Sequence, residues 1–166
     1  MKNINEVDFS KISFILMDLD GVLTDGTLIY SPQGEVWKLF HAHDGYGIER
    51  GHHFGLKFGI ISGRRADANR QRAERLKIEE LYEDCKDKVV AYEAIRKKYD
   101  LEPENFCFTG DDVFDLPLLR EVGFSCAPNN AMEDVKKEVH YVTNISGGRG
   151  AMREVIDIIL RQKKLI

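Results

Sequence analysis

Phe14-Ile15-Leu16-Met17-Asp18-Leu19-Asp20-Gly21-Val22-Leu23-Thr24-Asp25-Gly26 is an apolar run that stops abruptly in alternating carboxylates and glycines. Residues 12–17 are short, apolar and bounded by polar positions, which predicts a strand buried on both faces of a parallel sheet. Asp18 and Asp20 stand two apart at its C-terminal end, so an extended backbone points both side chains the same way. In open α/β sheets that end is where ligands bind. Two like charges converging there repel unless a cation or a proton lies between them. A bare Asp-x-Asp is also an ordinary polar turn, so the other segments decide which reading holds.

Working outward, residues 28–40 hold two short β-prone runs around Ser31-Pro32-Gln33-Gly34, a hairpin signal placed where a flap would flank the strand end. A helix is expected from about 48 to 53, then a second strand over 56–61 ending in Ser62-Gly63-Arg64, and a helix over about 66–76. Ser62, between a strand and a helix N-terminus, can hydrogen-bond an anion together with nearby backbone N–H groups, or simply cap the turn. Residues 80–83 read as a third strand. The helix beginning near Asp87 carries Lys88 in its first turn, an unfavourable place for a cation unless an anion is near. Residues 106–109 form a fourth strand ending in Gly110-Asp111-Asp112-Val113-Phe114-Asp115, followed by a helix over 116–122, a fifth strand over 123–128 and a sixth near 141–143. Gly147-Gly148-Arg149-Gly150 reads as a flexible loop before a last helix from 151 to about 160. This alternation calls for a doubly wound, Rossmann-like parallel sheet covered by helices.

Composition narrows the function classes. The chain has 166 residues, 43% hydrophobic and 31% charged, with a net charge of -4. That supports one core, a single domain over 1–166, and gives no electrostatic footprint for nucleic acid. No window reaches a membrane span, and residues 1–10 carry Glu6 and Asp8 with no long apolar run, against a secretory signal. Cys85, Cys107 and Cys126 are odd in number and lack metal-ligand spacing, so they read as reduced thiols of a cytoplasmic protein. His41, His43, His52 and His53 likewise lack the spacing of a zinc set and read as polar loop and surface residues.

A doubly wound sheet gathers its strand ends at one edge. Asp18 and Asp20, Ser62, Lys88, and Asp111 with Asp115 would meet there. In that order they resemble the four motifs of the haloacid dehalogenase superfamily of phosphotransferases, and Thr24-Asp25-Gly26 resembles the tail of the first motif in its small sugar-phosphate phosphatases. The resemblance covers nearly the whole chain. It implies that Asp18 is a nucleophile forming an aspartyl-phosphate and that Asp20 is the general acid and base. It also implies that Mg2+ is held by Asp18, Asp111 and the backbone carbonyl of Asp20, that Ser62, Gly63 and Lys88 grip the phosphoryl oxygens, and that Asp115 orients Lys88 or the metal shell.

The gaps between motifs leave no room for a cap domain. Capless members of this superfamily form homotetramers in which one subunit's hairpin closes a neighbour's site, so a tetramer with residues 28–40 at the interface is expected. Asp44-Gly45-Tyr46-Gly47-Ile48, Ser62-Gly63-Arg64, Arg72 and Gly147-Gly148-Arg149-Gly150 resemble the members that act on eight-carbon ulosonic acid phosphates. By that resemblance Asp20, His41, His43, Asp44, Gly45, Arg64 and Arg72 would touch the sugar, with the Arg64 guanidinium suited to its carboxylate. His43 and Glu49 stand where arginines are usual, and Arg50 is a possible substitute cation. A nine-carbon ulosonate phosphate or another small sugar phosphate is the alternative substrate. A noncatalytic assembly module of acidic-sugar activation is the alternative class.

Overall fold

The computed structural model describes residues 2–166; Met1, the first residue of the segment read above against a secretory signal, lies outside them. The organising strand is β1, Phe14–Met17. Its four side chains are fully buried, Phe14 and Leu16 on one face and Ile15 and Met17 on the other. Each such burial contributes about 2 kcal/mol, so a strand of four residues anchors both layers.

The remaining strands are β2 (Ile29–Tyr30), β3 (Val36–Trp37), β4 (Lys57–Ile61), β5 (Glu80–Tyr82), β6 (Phe106–Thr109), β7 (Phe124–Ala127) and β8 (Tyr141–Val142). Among the described residues, six of the eight strands form a parallel sheet in the order β5-β4-β1-β6-β7-β8. From β1 the chain builds first to one side and then to the other, so the strand order reverses at β1 and a crevice opens beside its C-terminal end. The helices are α1 (Ala42–His53), α2 (Asp67–Arg75), α3 (Lys88–Tyr99), α4 (Leu116–Glu121), α5 (Glu133–Lys136) and α6 (Ala151–Gln162). Side chains of α1, α2 and α6 pack with Ile15 and Met17, and those of α3, α4 and α5 with Phe14 and Leu16. The doubly wound expectation therefore holds. Between β1 and Ser62 stand the hairpin, α1 and β4, and between Ser62 and Lys88 only α2 and β5. No helix among the described residues is long and apolar enough to cross a membrane.

The hairpin forms as its turn predicts. β2 and β3 pair antiparallel, Ser31 N–H donates to Glu35 O at 2.9 Å, and Gly34 takes a φ of +84° that few other residues adopt readily.

Two expectations need correction. Helix α1 begins at Ala42 rather than near 48. Gly45, Gly47 and Gly51 weaken helix propensity, but packing requires them: a Cβ on Gly47 would lie 3.1 Å from Arg153 Cα, and one on Gly51 would enter the Phe58 ring. The glycines thus let α1 seat directly on α6 and β4. Second, residues 147–150 are not a free loop. Gly148 N–H donates to Val22 O at 2.9 Å, Gly147 N–H donates to Asn130 Oδ1 at 2.8 Å, and a Cβ on Gly147 would collide with Gly21 O. This segment buttresses the turn that follows β1.

Gly147→Ala is expected to lower the unfolding free energy by about 1–3 kcal/mol, read as a fall in the urea midpoint. A second expectation concerns pH. His140 Nδ1 accepts the Ser125 N–H at 3.0 Å, tying β8 to β7, and burial, then Lys2, pulls its pKa from 6.5 down to about 4. The unfolded chain takes up that proton first, so this contribution is intact above about pH 6.5 and lost as the pH falls toward 4. The urea midpoint should drop between pH 7.5 and 5 by less in His140→Asn than in the unmodified chain.

Candidate active site

The chain leaves β1 at Met17 and turns, so Asp18 and Asp20 are not on one extended strand as expected. Both nevertheless line one cavity of about 380 Å³ at the strand end, together with Ser62, Gly63 and Arg64. Thr24 shapes that turn. Its hydroxyl, buried, accepts the N–H groups of Gly21 (3.3 Å) and Gly26 (3.2 Å). Gly21 has a φ of +91°, and a Cβ there would strike the Asp111 carboxylate, so only glycine brings the first turn against the fourth.

Asp18 is 3% exposed. Its Oδ1 accepts the Leu19 N–H at 2.7 Å and lies 3.0 Å from Lys88 Nζ. Lys88, the first residue of α3, is held in place by its N-cap, Asp87, whose Oδ1 accepts the Val89 N–H at 3.0 Å. Its ammonium also lies 2.6 Å from Asp115 Oδ1 and 4.9 Å from the centre of the Phe114 ring. Asp115 is fully buried, and its Oδ2 accepts the N–H groups of Asp111 (2.9 Å) and Asp112 (3.3 Å), folding the loop after β6 around the lysine.

The electrostatics follow from crowding. Burial is the main influence on Asp18 and lifts its pKa to about 6, with Lys88 opposing and Asp115 adding. Burial, then Asp18 and Asp115, lifts Asp111 to about 8. Burial alone would lower Lys88, but Asp18 and Asp115 outweigh it and hold it above its usual value. Three carboxylates, Asp18, Asp111 and Asp115, bring oxygens within 4.8 Å of one another. With one ammonium among them, full ionisation leaves three minus one, two uncompensated negative charges. Asp111 Oδ1 is buried with no hydrogen-bond partner among the described residues. An all-oxygen set with that charge and an orphaned oxygen suits a hard divalent cation. The ligand expectation named Asp18, Asp111 and the backbone carbonyl of Asp20; the side chains of Asp18 and Asp111 do come together, with that of Asp115 beside them.

Ser62 Oγ accepts the Arg64 N–H at 3.2 Å, so the serine caps the turn as well as lining the cavity. Cys85, Lys86 and Phe114 complete the lining and were not expected from the sequence. Nor was Lys38, whose Nζ hydrogen-bonds Asp20 Oδ2 at 2.9 Å. One signal could have found it: Val36, Lys38 and Phe40 alternate with the exposed Trp37 and Leu39, which puts Lys38 on the inner face of the hairpin arm.

The other expected sugar contacts stand elsewhere. His41 caps α1, its Nδ1 accepting the His43 N–H at 3.3 Å, and Arg72 Nη2 donates to His41 O at 3.0 Å beside Gly45. Asp44 is fully buried, its two oxygens accepting the N–H groups of Gly150 (3.1 Å) and Arg153 (3.0 Å) at the start of α6. None of these five lines the cavity of Asp18. Arg50 is paired with Asp157 at 2.9 Å, and Arg153 shares that carboxylate.

A model of the haloacid dehalogenase-like hydrolases matches residues 71–151. Over 151 residues the chain is 41% identical to 3-deoxy-D-manno-octulosonate 8-phosphate phosphatase of Yersinia pestis, covering 91% of this chain and 81% of that protein. A crystal structure of the Yersinia pestis phosphatase superposes with a TM-score of 0.93 at 39% identity, covering 97% of this chain and 86% of the other. The phosphatase from Moraxella catarrhalis, solved in complex with a magnesium ion, a phosphate ion and a KDO molecule, gives 0.91 at 34% identity, covering 94% and 90%. The chain belongs to the haloacid dehalogenase-like hydrolase family, on the branch that includes the 3-deoxy-D-manno-octulosonate 8-phosphate phosphatases.

Proposed function

We propose that this chain is a magnesium-dependent phosphatase, working as one domain, that hydrolyses 3-deoxy-D-manno-octulosonate 8-phosphate to the free sugar acid and phosphate. The observation that carries the reading is the cluster of Asp18, Lys88, Asp115 and Asp111, of which Asp18 lines the cavity that Asp20 shares. The relatives' substrate supports the choice of ester.

Asp18 is the nucleophile. The Leu19 N–H and Lys88 both engage its Oδ1, which orients the carboxylate so that its other oxygen is available for in-line attack on phosphorus. As the bond from phosphorus to the sugar oxygen breaks, Asp20 gives that oxygen a proton. In the second half Asp20 takes a proton from the water that splits the aspartyl-phosphate. Lys88, Ser62 and the Gly63 N–H stabilise the charge that moves onto the phosphoryl oxygens. Asp115 keeps Lys88 aimed. Asp18 and Asp111, with Asp115 or the Asp20 carbonyl, would hold magnesium, which would supply positive charge that lets carboxylate and phosphate approach. Arg64 at the cavity wall is the candidate partner of the sugar carboxylate.

His41, His43 and Arg72 stand outside the chain's own cavity, so any contact they make with sugar would be toward a neighbouring subunit's site, whereas Asp44 and Gly45 are buried and serve the packing of α1. The hairpin supports such an assembly: Trp37 and Leu39, with Ile29 opposite Trp37 in the register, are 59%, 66% and 38% exposed, an apolar face typical of an interface. We read it as the contact of a homotetramer. The free thiols Cys85, Cys107 and Cys126 support a cytoplasmic setting.

Phosphate release from a panel containing eight-carbon and nine-carbon ulosonate phosphates and common hexose phosphates tests the reading. The eight-carbon ester should be preferred. Asp18→Asn should lower kcat by at least about a thousandfold, and chelation should abolish turnover until magnesium is restored. Preference for a nine-carbon ester reassigns the substrate; no release from any ester sinks the phosphatase reading. A Trp37→Glu, Leu39→Glu double variant should run as a smaller species in light scattering than the unmodified chain.

A further inference from the structure

Lys38 follows β3 on the returning arm of the hairpin, between Trp37 and Leu39, both largely exposed. Its own side chain has 0% exposure. A buried ammonium persists where it meets an opposite charge, and the carboxylate it meets is Asp20, with Nζ 2.7 Å from Oδ1 and hydrogen-bonded to Oδ2 at 2.9 Å. Each of the two reacting carboxylates therefore has its own lysine. Lys88 is divided between Asp18 and Asp115, whereas the only ion pair of Lys38 among the described residues is with Asp20. Lys38 also borders two further cavities beneath the hairpin, of about 310 and 600 Å³, walled on the other side by Arg65 and Ala66. It stands at the seam between hairpin and site.

We infer that Lys38 is a positioning residue: it fixes the orientation of the Asp20 carboxyl for proton exchange with the leaving oxygen, and so makes the acid and base step depend on how the hairpin is seated. The inference rests on the phosphatase reading above. Asp20 lies on a turn and retains 19% side-chain exposure, so its rotamer is not set by packing alone. A contact to both carboxylate oxygens selects one orientation. Proton transfer requires hydrogen-bond reach, and loss of alignment costs rate more than binding.

The test uses the whole chain with magnesium and the variant Lys38→Met, which keeps an apolar stem and removes the charge. Two esters separate the roles: an alkyl sugar phosphate, whose leaving oxygen needs a proton, and 4-nitrophenyl phosphate, whose phenolate departs without one. Lys38→Met should lower kcat on the sugar phosphate about tenfold to a hundredfold with KM within about threefold. The single-turnover burst of nitrophenolate should stay within about threefold. In an Asp20→Asn background, adding Lys38→Met should change the sugar-phosphate rate by less than about twofold, because a residue that acts through Asp20 has nothing left to position. Equal losses on both esters, a rise in KM with kcat unchanged, or multiplying losses in the double variant would overturn the inference and leave the phosphatase reading standing. An unmodified chain that cleaves neither ester would overturn both.

Discussion

The arrangement depends on one buried cation. Lys88 Nζ sits between Asp18 and Asp115 with almost no solvent access, and without it the loop after β6 and the turn after β1 would confront each other as unrelieved negative charge. An isolated buried charge is costly, and so is a buried carboxylate pair. The cluster is stable only as a set. That is why the elements that deliver it are rigid: a strand buried on both faces for Asp18, an aspartate-capped helix start for Lys88, and a loop closed by two backbone N–H bonds for Asp115. Even so, the carboxylates outnumber the lysine, and the excess negative charge is the feature a divalent ion would answer.

The topology turns local order into long-range proximity. β1 is paired in register with β4 on one side and β6 on the other, Met17 opposite both Ile60 and Thr109. The residues just beyond those positions are Asp18, Ser62 and Asp111, so register alone brings three chemistries to one crevice. Asp44 does comparable work on the opposite layer. A carboxylate in the first turn of α1 caps α6 across 106 positions, and burial raises its pKa against the stabilising N–H bonds.

Much of this was legible from residues in order. Apolar runs ending in Asp, Ser or Gly marked the strands, and the first-turn lysine announced an anionic neighbour because the helix dipole disfavours it there. What escaped had a common cause: it depended on partners remote in the chain. The early start of α1 was hidden by glycines whose purpose is contact with Arg153 and Phe58. Asp44 looked like a loop carboxylate free for a ligand until the start of α6 claimed it. Arg50 looked like spare charge until Asp157 took it. Lys38 was hidden differently, since a lysine on a short hairpin arm is ordinarily solvated, and only the alternation from Val36 to Phe40 hinted at an inward side chain.

The packing of Gly147 and Gly148 onto the turn around Gly21 to Asp25 has a consequence for the order in which the molecule matures. Asp18 is made within the first twenty positions, yet the turn that carries it is braced by backbone about 125 positions later, and β1 waits for β6 before both its edges are paired. Contacts of such sequence separation form late and slowly. On the ribosome, the nascent chain therefore carries Asp18 for most of its synthesis on an unbraced turn, and the brace arrives only as residues 147 and 148 emerge. A chain released before residues 147 and 148 would present the acidic motifs without the backbone that holds their turn.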